Sequence, residues 1–324
     1  MMLGRVLVGL FCVSVWAADA DLAVVEKVAG RVSFYSNAGE RLGEVKVGNT
    51  PHEAVLSPDG RTLYVSINGV LWMTDVDADG EKLIAAVDVP NRKLKNTIDL
   101  GQYRRPHGLS LTKNGMLWST TEKPDGVLVV DTAKNKVMKW LDTKGQNPHM
   151  VEWNERLGRA YVSNTDSGSI AIVNPKDWSV SLIESLKRPQ GGVFSADASR
   201  FYVVNSGGGS ISIIDTSRPA IAANIKTGEG PGRIALTPDG KTLVYNLGTD
   251  QAVAFADVAS QRQMKVVPIG GRPLSLTLSR DGKRAYAGIQ DQDKIIVLSV
   301  PDQKIVQAIQ LPKGSGPDPV IPLR

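Results

Sequence analysis

The sequence runs to 324 residues, 42% of them hydrophobic, 22% charged and only 6% aromatic, a balance that excludes a disordered chain and supplies a sizeable core. Its 32 glycines and 18 prolines, with apolar content weighted to Val, Ile and Leu, favour short strands and turns over an all-helical fold. The formal net charge of +5 is modest, and nucleic acid is not an expected partner, because dense basic patches interleaved with stacking aromatics are missing.

Residues 1–20 read as a secretory signal: a basic start at Arg5, an apolar run over residues 6–16, and the small-residue segment Ala17-Ala18-Asp19-Ala20. The run falls short of the ~20 residues of a membrane helix and no later stretch exceeds it, so the expectation is a soluble periplasmic or secreted protein with no membrane span. The single cysteine, Cys12, lies inside the signal, which leaves the mature chain without a disulfide or a cysteine-ligated metal. A lipid anchor at Cys12 is disfavoured by Phe11, which stands where a small residue is needed.

The rest of the chain is organised by a repeat. A proline opens a short apolar run that ends in a turn: Pro51-His-Glu-Ala-Val-Leu-Ser-Pro-Asp-Gly60, Pro106-His-Gly-Leu-Ser-Leu-Thr-Lys-Asn-Gly115, Pro148-His-Met-Val-Glu-Trp, Pro189-Gln-Gly-Gly-Val-Phe, Pro231-Gly-Arg-Ile-Ala-Leu and Pro273-Leu-Ser-Leu-Thr-Leu. The spacings are 55, 42, 41, 42 and 42 residues, room for four short strands each, with Asp-Gly or Asn-Gly supplying hairpin turns. Antiparallel four-stranded units of this length are propeller blades.

The predicted elements in chain order are three strands at 23–25, 32–35 and 42–47, six complete blades opening at the six prolines, and an unfinished unit at Pro317-Asp318-Pro319. The N-terminal strands complete that last unit. The expectation is an all-β, seven-bladed β-propeller forming one domain over 21–324, closed by pairing its two ends so that no sheet edge stays open. The long first spacing marks an insertion within about 66–82.

Ser-Pro-Asp-Gly-x-x-Leu-Tyr-Val at 57–65, Tyr-Val-Ser-Asn at 161–164, Tyr-Val-Val-Asn at 202–205 and Ile-Ile-Asp at 213–215 resemble the YVTN family of bacterial propeller repeats, over essentially the whole mature chain. No Trp-Asp dipeptide occurs, unlike the WD40 type. The resemblance implies an exported propeller and leaves activity open, since such scaffolds serve binding proteins and enzymes alike.

All three histidines, His52, His107 and His149, follow the opening proline in three consecutive blades. Three readings are open: a shared transition metal (Zn, Cu or Fe) with Glu53 and Asp318 as added oxygen ligands, contact with a polar ligand, or a structural role. Arg104, Arg105, Lys187, Arg188 and Arg272 precede opening prolines and Arg233 follows one. Together they form a candidate rim for a carboxylate or phosphate, or merely solvated loop charge. In the insertion, Asp75, Asp77 and Asp79 before Gly80 imitate a calcium loop, but Ala86 stands where its closing glutamate belongs.

No Gly-x-Ser-x-Gly elbow or phosphate-binding loop occurs, and Gly207-Gly208-Gly209 reads as a turn. The leading expectation is therefore a monomeric binding or interaction module holding a small, anionic molecule or a partner protein at the channel mouth. The alternatives are a metal-dependent lyase or oxidoreductase using the three histidines, and an accessory protein of a periplasmic redox enzyme.

Overall fold

The computed structural model describes residues 19–72, 74, 75 and 77–324; the expected signal segment, with Cys12, lies almost wholly outside them. Seven four-stranded antiparallel sheets make up the chain. Six are continuous in sequence: blade 1 (residues 51–99), blade 2 (104–141), blade 3 (148–183), blade 4 (189–226), blade 5 (231–268) and blade 6 (273–310). Blade 7 joins Leu22–Glu26, Arg31–Tyr35 and Arg41–Lys46 to the C-terminal strand Pro317–Pro322, with Ala23 opposite Ile321 and Val24 opposite Val320. This is the seven-bladed ring closed by its own ends that the repeat implied.

In blades 1, 4, 5 and 6 the hairpin turn after the innermost strand explains the Ser/Thr-x-Asp pattern. Asp59 accepts the Ser57 hydroxyl at 2.6 Å and the Arg61 N–H at 3.0 Å, and Asp197, Asp239 and Asp281 repeat the arrangement with Ser195, Thr237 and Ser279. Each aspartate satisfies backbone donors that the turn would otherwise leave unpaired.

The apolar core lies between blades. Phe34 and Val32 of blade 7 pack with Leu63, Val65 and Ile67 of blade 1, and Tyr202 and Ile213 of blade 4 pack with Tyr245 and Leu247 of blade 5. Strand Thr62–Ile67, sandwiched on both faces, is buried throughout, whereas the outermost strand Lys304–Gln310 is mostly exposed. Because apolar faces meet between blades, the axis is left to the innermost strands and their polar side chains.

Those strands share a local irregularity. In blade 1, Pro51 pairs with Ile67, and regular pairing then resumes only at Ala54 with Val65; the same shift follows Pro106, Pro148, Pro189, Pro231 and Pro273. A proline has no N–H to give the ladder, and the bulge behind it re-aims the next side chains toward the axis.

Candidate functional site: a polar cavity at the channel mouth

The bulges bring His52, His107 and His149 together on the wall of a cavity of about 1100 Å³. Their ring centroids lie 4.8 Å apart from His52 to His107 and 4.3 Å from His107 to His149. All three are buried, at 2%, 4% and 4% exposure. The Nε2–H of His52 donates to the Val70 carbonyl at 2.7 Å, which assigns the proton to that nitrogen. His107 is bonded to the backbone of His149. Burial, reinforced by nearby cationic groups, holds all three well below the usual imidazole range, so the cluster is neutral at physiological pH.

The three Nδ1 atoms are sealed from solvent and have no hydrogen-bond partner. Among the described residues, no group of three or more His, Cys, Asp or Glu side chains is arranged to hold a metal ion. The two additional oxygen donors expected for such a site are committed elsewhere. Glu53 pairs with Arg233 and Asp318 pairs with Lys27 at 3.6 Å.

Arg105, Arg188, Arg233 and Arg272 line this cavity as expected, but Arg104 does not. The strand Arg104–Leu111 starts two residues ahead of its proline, and Arg104 instead donates to the carbonyls of Asp79 at 3.2 Å and Gly80 at 2.9 Å. Arg105 is buried and reaches Glu122 at 2.6 Å and the Asp75 carbonyl at 2.8 Å. The described residues of the insertion are thus tied to blade 2. Carbonyls of Asp75, Ala78, Asp79 and Gly80 accept from these arginines.

The floor and wall hold both named candidates and groups with no sequence signal, Glu152, Lys27 and Trp72. The Arg233–Glu53 pair spans the channel from blade 5 to blade 1, with side-chain exposures of 14% and 9%. Burial raises the Glu53 carboxyl against the pull of Arg233. Glu152, on the innermost strand of blade 3, is pushed up to about 8 by burial first and the Glu53 charge second. Lys27, in the turn after Leu22–Glu26, lines the cavity and is lowered by burial. Trp72, from the insertion, forms part of the wall at 46% exposure, with the Lys27 ammonium 5.7 Å from its ring centroid.

Most cations of the mouth are balanced locally. Arg188 meets Asp166 at 2.8 Å and Lys123 meets Asp79 at 3.8 Å. Arg272 is exposed and has no ion-pair or hydrogen-bond partner among the described residues. It extends over Gly248, its Nε 3.8 Å from where a β-carbon there would stand, and Gly232 occupies the slot that holds histidine in blades 1 to 3. The blade 5 and 6 side of the cavity is therefore open beside an uncommitted guanidinium.

These features define a seven-bladed propeller with a charged cavity at one end of its channel. No protein-family model matches the chain. It is 25% identical over 235 residues to the uncharacterized protein YncE of Salmonella typhimurium, an alignment covering 71% of this chain and 63% of that protein, and shows the same identity and coverage with YncE of Salmonella typhi. The chain thus spans less than two thirds of the length of these relatives. A functionally unknown protein from Desulfotomaculum acetoxidans superposes with a TM-score of 0.77 at 17% identity, covering 94% of this chain and 99% of that one. The periplasmic gluconolactonase PpgL of Pseudomonas aeruginosa gives 0.74 at 17%, covering 93% and 98%; at such identities the likeness concerns the fold. The chain is thus similar in sequence to YncE and has the fold of a β-propeller.

Proposed function

We propose that this chain is an exported, monomeric propeller that binds a small anionic molecule in the channel-mouth cavity. The observation that carries the reading is Arg272, an unpaired guanidinium on the open side of a cavity whose described lining includes six Lys or Arg side chains and four Asp or Glu. A carboxylate or phosphate docking there gains charge-assisted, bidentate hydrogen bonds without first breaking an ion pair. The neutral imidazoles and Trp72 offer a partly apolar wall to the rest of the ligand. Export rests on the signal-like residues 1–20, and among the described residues no helix is long and apolar enough to cross a membrane.

A thermal-shift screen of small carboxylates and phosphates tests this reading. Ligands found should lose about tenfold or more in affinity in Arg272→Ala, the scale of one charged hydrogen bond at about 1.5–3 kcal/mol. Equal affinity in the variant would remove the reading's main support.

A further inference from the structure

Lys27 has an unusual setting for a lysine. Its side chain is 6% exposed, yet it lines the cavity. Its backbone N–H donates to the Gly316 carbonyl at 2.9 Å and the following Val28 N–H to Ser315 at 3.2 Å, so the turn is pinned to the closing strand. The groups around the amine come from three blades: Asp318 of blade 7, Glu53 and His52 of blade 1, and Arg233 of blade 5. Asp318 holds Nζ through Oδ2 at 3.6 Å, while its Oδ1 is buried with no hydrogen-bond partner.

We propose that Lys27 is a reactive amine that forms an imine with small aldehydes or ketones carrying an acidic group. The class of compound rests on reading the mouth as an anion site. The free-amine form of Lys27 attacks the carbonyl carbon, forming a C–N bond as the carbonyl π pair moves to oxygen. The ammonium proton of that adduct passes to Asp318, whose unpartnered Oδ1 is an available acceptor. Asp318 returns that proton to the alkoxide, giving a carbinolamine; the nitrogen lone pair then expels hydroxide, which takes up the remaining N–H proton by way of Asp318, so one amine and one carbonyl give one imine and one water. Burial of the amine, which disfavours its charged form, supplies the nucleophile that a surface lysine lacks at neutral pH.

Glyoxylate with cyanoborohydride provides the test, because reduction fixes each imine as a carboxymethyl group that peptide mass spectrometry can place. An ordinary lysine amine is only about a thousandth neutral at pH 7.5, so Lys27 should be labelled about tenfold or more faster than ordinary surface lysines. Lys134 and Lys304, with side-chain exposures of 70% and 64%, serve as internal references. The Lys27 rate should also level off at lower pH than theirs. Labelling of Lys27 no faster than these references between pH 6.5 and 9 overturns the proposal. Glyoxylate binding without reductant, followed by Trp fluorescence in wild type and Arg272→Ala, reads the anion site separately. Binding with an inert Lys27 sinks only the imine proposal, whereas fast labelling with binding indifferent to Arg272 sinks only the anion site.

Discussion

Arg233 and Glu53, 180 residues apart in sequence, form an ion pair across the central channel and close the floor of the mouth cavity. Arg233 is also the charge felt by Asp318, Glu152 and all three histidines. Removing one partner of a buried pair strands the other. Arg233→Ala is therefore expected to cost about 3–5 kcal/mol, while the double variant Arg233→Met/Glu53→Leu recovers most of that loss. Urea unfolding of the single and double variants measures both, and an equal loss in the two would contradict the arrangement.

The three buried histidines should cost the protein stability in acid. An unfolded chain protonates them below about pH 6.5, but burial keeps the folded-state values well below this. The unfolded state then binds more protons, and stability falls as pH drops below about 6.5. Glu152 acts in the opposite sense. With its folded value at about 8 and an unfolded value near 4.3, it loses stability as pH rises through that window. Glu53, Glu122 and Asp125, raised by burial as well, act in the same sense as Glu152, so the histidine contribution is read from a single variant. His149→Gln should shallow the acid limb of the urea midpoint against pH by about one proton, or about 1.4 kcal/mol per pH unit.

Ring closure depends on Pro317–Pro322, which pairs only with Leu22–Glu26 in its sheet. Deleting residues 316–324 exposes that strand's edge and the Val24 and Tyr35 side of its core cluster. The truncated chain is expected to lose cooperative thermal unfolding and to aggregate. A sharp transition with an unchanged midpoint would show that closure is dispensable.

The outline of this molecule was readable because each blade repeats one proline, one bulge and one turn. His52, His107 and His149 converge because they are a single repeat position, and a ring turns equal positions into neighbours. Arg104 broke the pattern because its strand begins before the proline, which directs it to the insertion. Lys27 and Trp72 were invisible for another reason. Both lie in connections, and only the pairing of the chain's ends and the anchoring of the insertion by Arg105 bring them to the cavity. Glu152 sits three positions beyond the histidine slot, and its environment depends on Glu53 and Arg233 from other blades.

Arg272 offers a separation of binding from folding. Exposed and unpartnered among the described residues, it should be replaceable by alanine with a stability change within about 0.5 kcal/mol, while ligand affinity drops. A comparable fall in melting temperature would mark it as structural.

The most direct test is a crystal structure of the protein with the tightest-binding organic acid from the screen. The ligand's carboxylate or phosphate should lie within about 3 Å of the Arg272 guanidinium, with its remaining atoms toward Trp72 and the histidine wall. An acid found only outside the mouth cavity, or in it with Arg272 turned away, would contradict the account.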